Sequence, residues 1–292
     1  MSCWKRLIRF KDQNDTERFG EPLIRADEAF LLDDLILKGA LQARCLKGDD
    51  MFNLVATPDV VCVKEILPLL SPCQVPIVKC VGLNYMKHIK EGGRNPPPYP
   101  SIFIKPRSSV AAFNEDVLIP KLAQDDQLDY EGELCIVIGR TGKDIPKSEA
   151  LTYIAGFVVS NDVSARKWQR DPAYAGGVPQ WCFSKGFDKF APLGPMLVSP
   201  KAVGNAGNLH LQTFVNGELR QDTNTSDLLF NTEAIISFIS QGTTLEAGTV
   251  IMTGTPAGVA MGMKEPMWLK DGDVVQVSIE GLGSVKNKMV FE

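Results

Sequence analysis

The chain has only two histidines, His88 and His210, in 292 residues. A metal site built from clustered imidazoles is therefore excluded, and any metal must rely on carboxylates. Its seven cysteines are Cys3, Cys45, Cys62, Cys73, Cys80, Cys135 and Cys182, and none forms a C-x-x-C pair. That removes zinc-knuckle and thioredoxin-type readings. Their odd number and scatter fit a reducing compartment in which thiols serve as small buried groups. No apolar run reaches the ~20 residues of a membrane span, so no membrane partner is expected. Positive charge is not in excess either. The formal net charge of -4 argues against nucleic acid as a partner. Internal repeats and low-complexity tracts are also missing, which leaves an ordinary globular chain, 44% hydrophobic and 23% charged.

The length suits one large domain and one smaller one. The start, MSCWKRLIRF, is basic, but WKRLIRFKD mixes aromatic, branched and charged residues as an opening strand does. It also lacks the apolar core and small-residue cleavage site of a targeting peptide. The cytoplasm is the expected compartment and the mitochondrion the alternative. Residues 1–70 read as a small N-terminal α+β domain, with helices expected over Glu28–Leu46 and Pro58–Leu70. SPCQVP, residues 71–76, reads as a linker because two prolines interrupt helix and strand alike. Residues 71–292 read as a strand-rich catalytic domain. Short β-type runs such as IVKCVG, SIFIKP, EGELCIVIG, IAGFVVSND and DVVQVSIEG are separated by Gly, Pro and Asn. Asn216-Gly217 between two such runs predicts a hairpin. Short helices are expected around Asn84–Glu91, Ser148–Tyr153, Ser164–Arg170 and Asn231–Ser240. The class is α+β, with a rolled or closed β architecture and peripheral helices. The Gly- and Pro-rich loop EGGRNPPPYPS is either a lid or a surface excursion.

LDYEGELCIVIG carries the clearest chemistry. Alternate residues of a strand share a face, so Glu131 and Glu133 point the same way. Two acids at a strand mouth repel one another, and a divalent cation between them relieves this. IAGFVVSND ends in Asp162, again at a strand terminus. Three carboxylates suit Mg²⁺ or Mn²⁺, with Ca²⁺ a further candidate. Spacing alone does not place the two strands side by side. In VGLNYMKHIKE, His88 and Glu91 are three apart on one helical face, an arrangement that orients an imidazole and raises its basicity. His210 alternates with leucines and reads as structural. Lys105, Lys185, Arg166 and Gln169 are polar or cationic candidates near these motifs. MTGTPAGVAMG offers threonines and backbone N–H groups to an anion. It lacks the ending of a phosphate-binding P-loop and the spacing of a dinucleotide turn.

In this order, VGLNYMKH, FIKP, DYEGELCIVIG, AGFVVSNDVSAR, SKGFDKFAPLGP, VNGELRQ and ISQGTTLEAGTVIMTGTPAGV resemble the fumarylacetoacetate hydrolase superfamily, nearest to the eukaryotic domain-containing-protein-2 group. The likeness runs from Val78 to Val290. It implies a mixed β-roll, a homodimer and a small-molecule 2-oxo acid substrate. By position, Glu131, Glu133 and Asp162 resemble the metal ligands, and His88 with Glu91 resembles the base dyad of the acylpyruvase-like members. Arg166, Gln169, Lys185 and Thr255 resemble groups that hold the substrate's carboxylate and oxo oxygen, with Lys185 in the catalytic set. Lys105 resembles a lysine near the ligand network. The stretch DPAYAGGVPQWCF is longer than in the short acylpyruvase members and puts substrate identity in doubt.

The expected reaction is metal-dependent hydrolysis of a C–C bond in an acylpyruvate-type acid, with His88 activating water. Tautomerisation or decarboxylation of oxaloacetate on the same residues is the alternative. A catalytically silent binding protein is a third reading.

Overall fold

The structure, a computed structural model, describes residues 3–292. Strand Arg6–Asp12 runs antiparallel to both Glu17–Pro22 and Val55–Leu67. Gln42–Lys47 pairs with the latter two, so the first four strands close on themselves. Arg6 and Leu7 also pair with Val198 and Leu197, which carries the same sheet onward. From there it runs through Ile154–Asn161, Gly132–Ile138, Val250–Met252 and Val78–Gly82 to the edge strand Ser101–Lys105. Val250–Met252 and Val78–Gly82 are parallel, so this ten-stranded sheet is mixed. A five-stranded sheet is ordered Glu218–Asn224, His210–Val215, Val274–Ile279, Gly283–Phe291, Val117–Ile119. It packs over Gly132–Ile138 and Ile154–Asn161. The hairpin turns at Asn216–Gly217, as the dipeptide predicts.

All seven residues of Gly132–Ile138 are buried, and the strand divides two cores. Leu134, Ile136 and Ile138 enter one cluster, Cys135 and Val137 the other. This is the two-sided burial that its unbroken apolar second half predicts. The second sheet approaches so closely that a Cβ at Gly132 would overlap Thr213 Oγ1. Glycine between the two glutamates is thus a packing requirement.

The N-terminal helices differ from expectation. Only Ala26–Leu31, a 3₁₀ turn, and Leu32–Leu37 are helical in the first segment, and Gln42–Lys47 is a strand. Pro58–Leu67 belongs to the thirteen-residue strand Val55–Leu67. Pairing on both edges overrides the helical spacing. Pro58 is tolerated because it sits in the register shift opposite Cys45, where its missing N–H breaks no ladder bond.

The other helices are short. Met86–Glu91, Arg166–Arg170 and Thr232–Ile239 lie where the sequence predicts, the last capped by the Asn231 side chain on Ala234 N at 3.0 Å. Lys147–Tyr153 is 3₁₀. The loop after Glu91 lies back on the body, with Tyr99 stacked on Phe238 at 5.9 Å.

Candidate active site

Gly132–Ile138 and Ile154–Asn161 are direct antiparallel neighbours, Gly132 opposite Asn161 and Glu133 opposite Ser160. Asp162 follows the second strand, and its N–H donates to the Glu131 carbonyl at 2.8 Å. The pairing gathers Glu131, Glu133 and Asp162, whose nearest carboxylate oxygens all lie within 4.8 Å of one another. All three are buried.

Like charges so close require compensation. Lys185 Nζ donates to Glu131 Oε2 at 2.6 Å and Asp162 Oδ2 at 2.7 Å. Lys105 Nζ, fully buried behind the triad, donates to Asp162 Oδ1 at 2.6 Å and the Phe190 carbonyl at 2.5 Å. Arg166 meets Glu131 Oε1 at 2.6 Å and Asp129 Oδ2 at 2.8 Å. Burial works against the Glu131 anion, but Lys185 and Arg166 outweigh it and hold its pKa down to about 2. Burial would likewise lower the Lys185 ammonium, yet Asp162 and Glu131 raise it above the ordinary lysine value. Glu133 is different. It accepts from Gly254 N at 2.7 Å, and no lysine or arginine pairs with it among the described residues. Burial, then Asp162 and Glu131, push its carboxyl well above the usual carboxylate range. The donor set is all oxygen and leaves the Glu133 carboxylate without a cation, so a hard divalent ion fits it.

Above the triad lies a cleft of about 290 Å³. His88 Nδ1 is 3.0 Å from Glu91 Oε2, and both side chains line the cleft with Glu131, Glu133, Lys185 and Thr255. Arg166 and Gln169 line it too, joined by an Nη1 to Oε1 bond of 3.0 Å. Thr255 Oγ1 accepts from Gln221 Nε2 at 2.9 Å and donates to the Gly132 carbonyl at 3.1 Å. Of the candidate site residues, Lys105 and Asp162 are not on the cleft wall, and both support it through their ion pair and the Lys185 contact. His210 lies far from it in sequence and on the surface, paired with Asp222 at 2.5 Å.

Several contributors escaped the sequence reading. Asp129 holds the Arg166 guanidinium and accepts from Ala260 N at 2.8 Å and Met261 N at 3.1 Å, tying the threonine-rich loop to the triad. The strand alternation that groups Glu131 with Glu133 continues back to Asp129, a signal that was available. Asn161 Oδ1 accepts from Glu131 N at 2.9 Å. The extended stretch after Arg170 forms one wall of the cleft. Pro179 and Trp181 line it, and the Trp181 ring packs edge-on to Phe103 at 5.3 Å.

The family profile for the Fumarylacetoacetate (FAA) hydrolase C-terminal region matches residues 77–290. The chain belongs to the fumarylacetoacetate hydrolase family. Among family relatives, it is 41% identical over 233 residues to the rat (Rattus norvegicus) mitochondrial protein oxaloacetate tautomerase Fahd2a, covering 77% of this chain and 72% of that protein. Its fold matches the crystal structure of 2-hydroxyhepta-2,4-diene-1,7-dioate isomerase from Mycobacterium marinum with a TM-score of 0.77, at 31% identity over 99% of both chains. Fumarylpyruvate hydrolase from Pseudomonas aeruginosa, a structure with Mn²⁺ and pyruvate, is 31% identical with a TM-score of 0.66, over 75% of this chain and 91% of that one. The fumarylacetoacetate hydrolase fold is therefore established, with the triad and the His88–Glu91 pair inside the matched region.

Proposed function

We propose that this protein is an oxaloacetate tautomerase, a metal-dependent enzyme that interconverts the enol and keto forms of a small 2-oxo acid. The observation that carries the reading is that His88, paired with Glu91, lines the same small cleft as the carboxylates Glu131 and Glu133. The kinship to a mitochondrial tautomerase favours proton transfer over C–C hydrolysis, and suggests the same compartment.

A divalent cation held by Glu131, Glu133 and Asp162, best Mg²⁺ or Mn²⁺, supplies a Lewis acid that stabilises negative charge on the substrate's 2-oxygen. The protein's own groups do the rest. Glu91 accepts a hydrogen bond from His88 Nδ1–H, which leaves Nε2 as the basic nitrogen. In the enol-to-keto direction His88 Nε2 takes the proton of the enol hydroxyl, and the imidazolium so formed delivers a proton to C3, which leaves the keto form and a neutral imidazole. In reverse, Nε2 takes the C3 proton. No water is consumed and no C–C bond breaks. Lys185, kept cationic by Glu131 and Asp162, orients the 2-oxygen, while Arg166, Gln169 and Thr255 set the 1-carboxylate. Lys105 holds Asp162 in place.

Hydrolysis of an acylpyruvate is the second reading, favoured by likeness to a fumarylpyruvate hydrolase. It would use the same His88 to activate water. NMR product analysis with oxaloacetate and acetopyruvate, with and without Mg²⁺, separates the two. Tautomerisation releases no acid fragment, whereas hydrolysis of acetopyruvate yields acetate and pyruvate. We also infer a homodimer. The edge strand Ser101–Lys105 exposes Ile102 and Ile104, an apolar edge suited to a second copy. Light scattering at micromolar concentration tests it.

A further inference from the structure

Two arginines at the mouth of the cleft have no carboxylate partner among the described residues. Arg94 comes from the loop after Met86–Glu91, and Arg170 ends the helix Arg166–Arg170 at the start of the Trp181 stretch. Both line the cleft. The nearby Arg166 already pairs with Asp129 and Glu131. By contrast, neither Arg94 nor Arg170 has an ion-pair partner among the described residues. Among the described residues the Arg170 side chain hydrogen-bonds to the Met261 thioether alone, 3.6 Å from Nη1, and sulfur is a weak acceptor. Glu91 lines the same cleft but is committed to His88. Partial burial, then Arg94 and Arg166, lower the Arg170 guanidinium from its ordinary value, so the two mouth arginines sit within each other's field. Two such cations, one from the loop after Met86–Glu91 and one from the end of helix Arg166–Arg170, line one small cleft and call for an anion between them.

We propose that Arg94 and Arg170 form a clamp for a second, distal carboxylate, making the preferred substrates dianionic 2-oxo acids rather than neutral-tailed acylpyruvates. This rests on the reading above that the triad end receives the 1-carboxylate and 2-oxygen. The cleft then carries a polarity gradient, with its carboxylate triad at the floor and its arginine pair at the rim. A two-headed anion spans both. A substrate ending in methyl leaves the two guanidinium groups unsatisfied.

Two ligands that cannot tautomerise test this apart from turnover. Malate and lactate share an α-hydroxy carboxylate, and only malate has a distal carboxylate. Calorimetry on the Mg²⁺-supplemented protein should show malate binding roughly tenfold or more tighter than lactate, the scale of one charge-assisted clamp. In Arg94→Gln/Arg170→Gln that preference should disappear while lactate binding is unchanged. Arg170→Lys, which keeps the charge, should restore part of it. A wild type that binds malate no better than lactate, or a double variant that keeps the preference or loses both ligands equally, overturns the clamp. If oxaloacetate is not tautomerised yet the malate preference vanishes with the arginines, the clamp stands and the reaction assignment fails.

Discussion

The Trp181 indole occupies the space that a side chain at residue 82 would need, since a Cβ built on Gly82 overlaps the Trp181 ring. Gly82 closes strand Val78–Gly82 and lines the cleft, so the contact fixes the wall formed by the Trp181 stretch. Gly82→Ala should displace the ring, cost about 1–3 kcal/mol through overpacking, and lower kcat/KM. Adding Trp181→Ala should recover much of the stability, because the two residues share one space. Urea denaturation of the four proteins in the cycle checks this. Simple additivity would mean the contact carries no energy.

Glu133→Gln removes the one triad carboxylate that lacks a cationic partner. The metal-free variant should melt higher than metal-free wild type, because a strained buried carboxyl is replaced by a neutral amide of similar shape. Added Mn²⁺ should raise the melting temperature of wild type and leave the variant nearly unmoved. A Mn²⁺ titration by differential scanning calorimetry reads both effects.

Lys105→Met should be far more damaging than its distance from the cleft suggests. The ammonium is fully buried between Asp162 and the Phe190 carbonyl. Deleting one partner of a buried pair costs about 3–5 kcal/mol. Chemical denaturation gives the loss directly. A change under ~1 kcal/mol would show that the pair is not held together in solution.

His88→Ala should reduce turnover by ~10²–10⁴-fold while leaving Mn²⁺ binding intact, since the imidazole faces the cleft and is no ligand of the triad. Glu91→Gln should cost less, because it removes the partner that orients the ring and leaves the ring itself. Initial rates alongside a metal titration distinguish a lost base from a lost metal site.

Much of the centre was legible because it obeys strand periodicity. Glu131 and Glu133 alternate on one face, and Asp162 sits at a strand end, each readable from neighbours in sequence. What was not legible is the antiparallel pairing that brings Asn161 opposite Gly132 and so completes the triad. Charge compensation was equally hidden. Nothing in the spacing of Arg166, Arg170 and Arg94 tells which one is consumed by Asp129 and Glu131 and which remain unpaired. In the fold, the helix expected over Pro58–Leu70 is replaced by the long strand Val55–Leu67. Its apolar residues satisfy either period, and only its pairing with Arg6–Asp12 and Gln42–Lys47 decides. Short strands such as Gly132–Ile138, buried on both faces, were easier, since their β-branched runs are too brief for a stable helix.

The proposed activity is proton transfer at C3 of a 2-oxo acid without bond cleavage. The decisive measurement follows enol-oxaloacetate in D₂O with Mg²⁺, reading ultraviolet decay of the enol and deuterium at C3 by NMR. The account predicts decay well above the buffer rate, one deuteron delivered to a single face of C3, and no pyruvate or CO₂ beyond the spontaneous background. His88→Ala should fall to near that background. Enol decay no faster than in buffer, or cleavage of acetopyruvate to acetate and pyruvate by the same preparation, would contradict it.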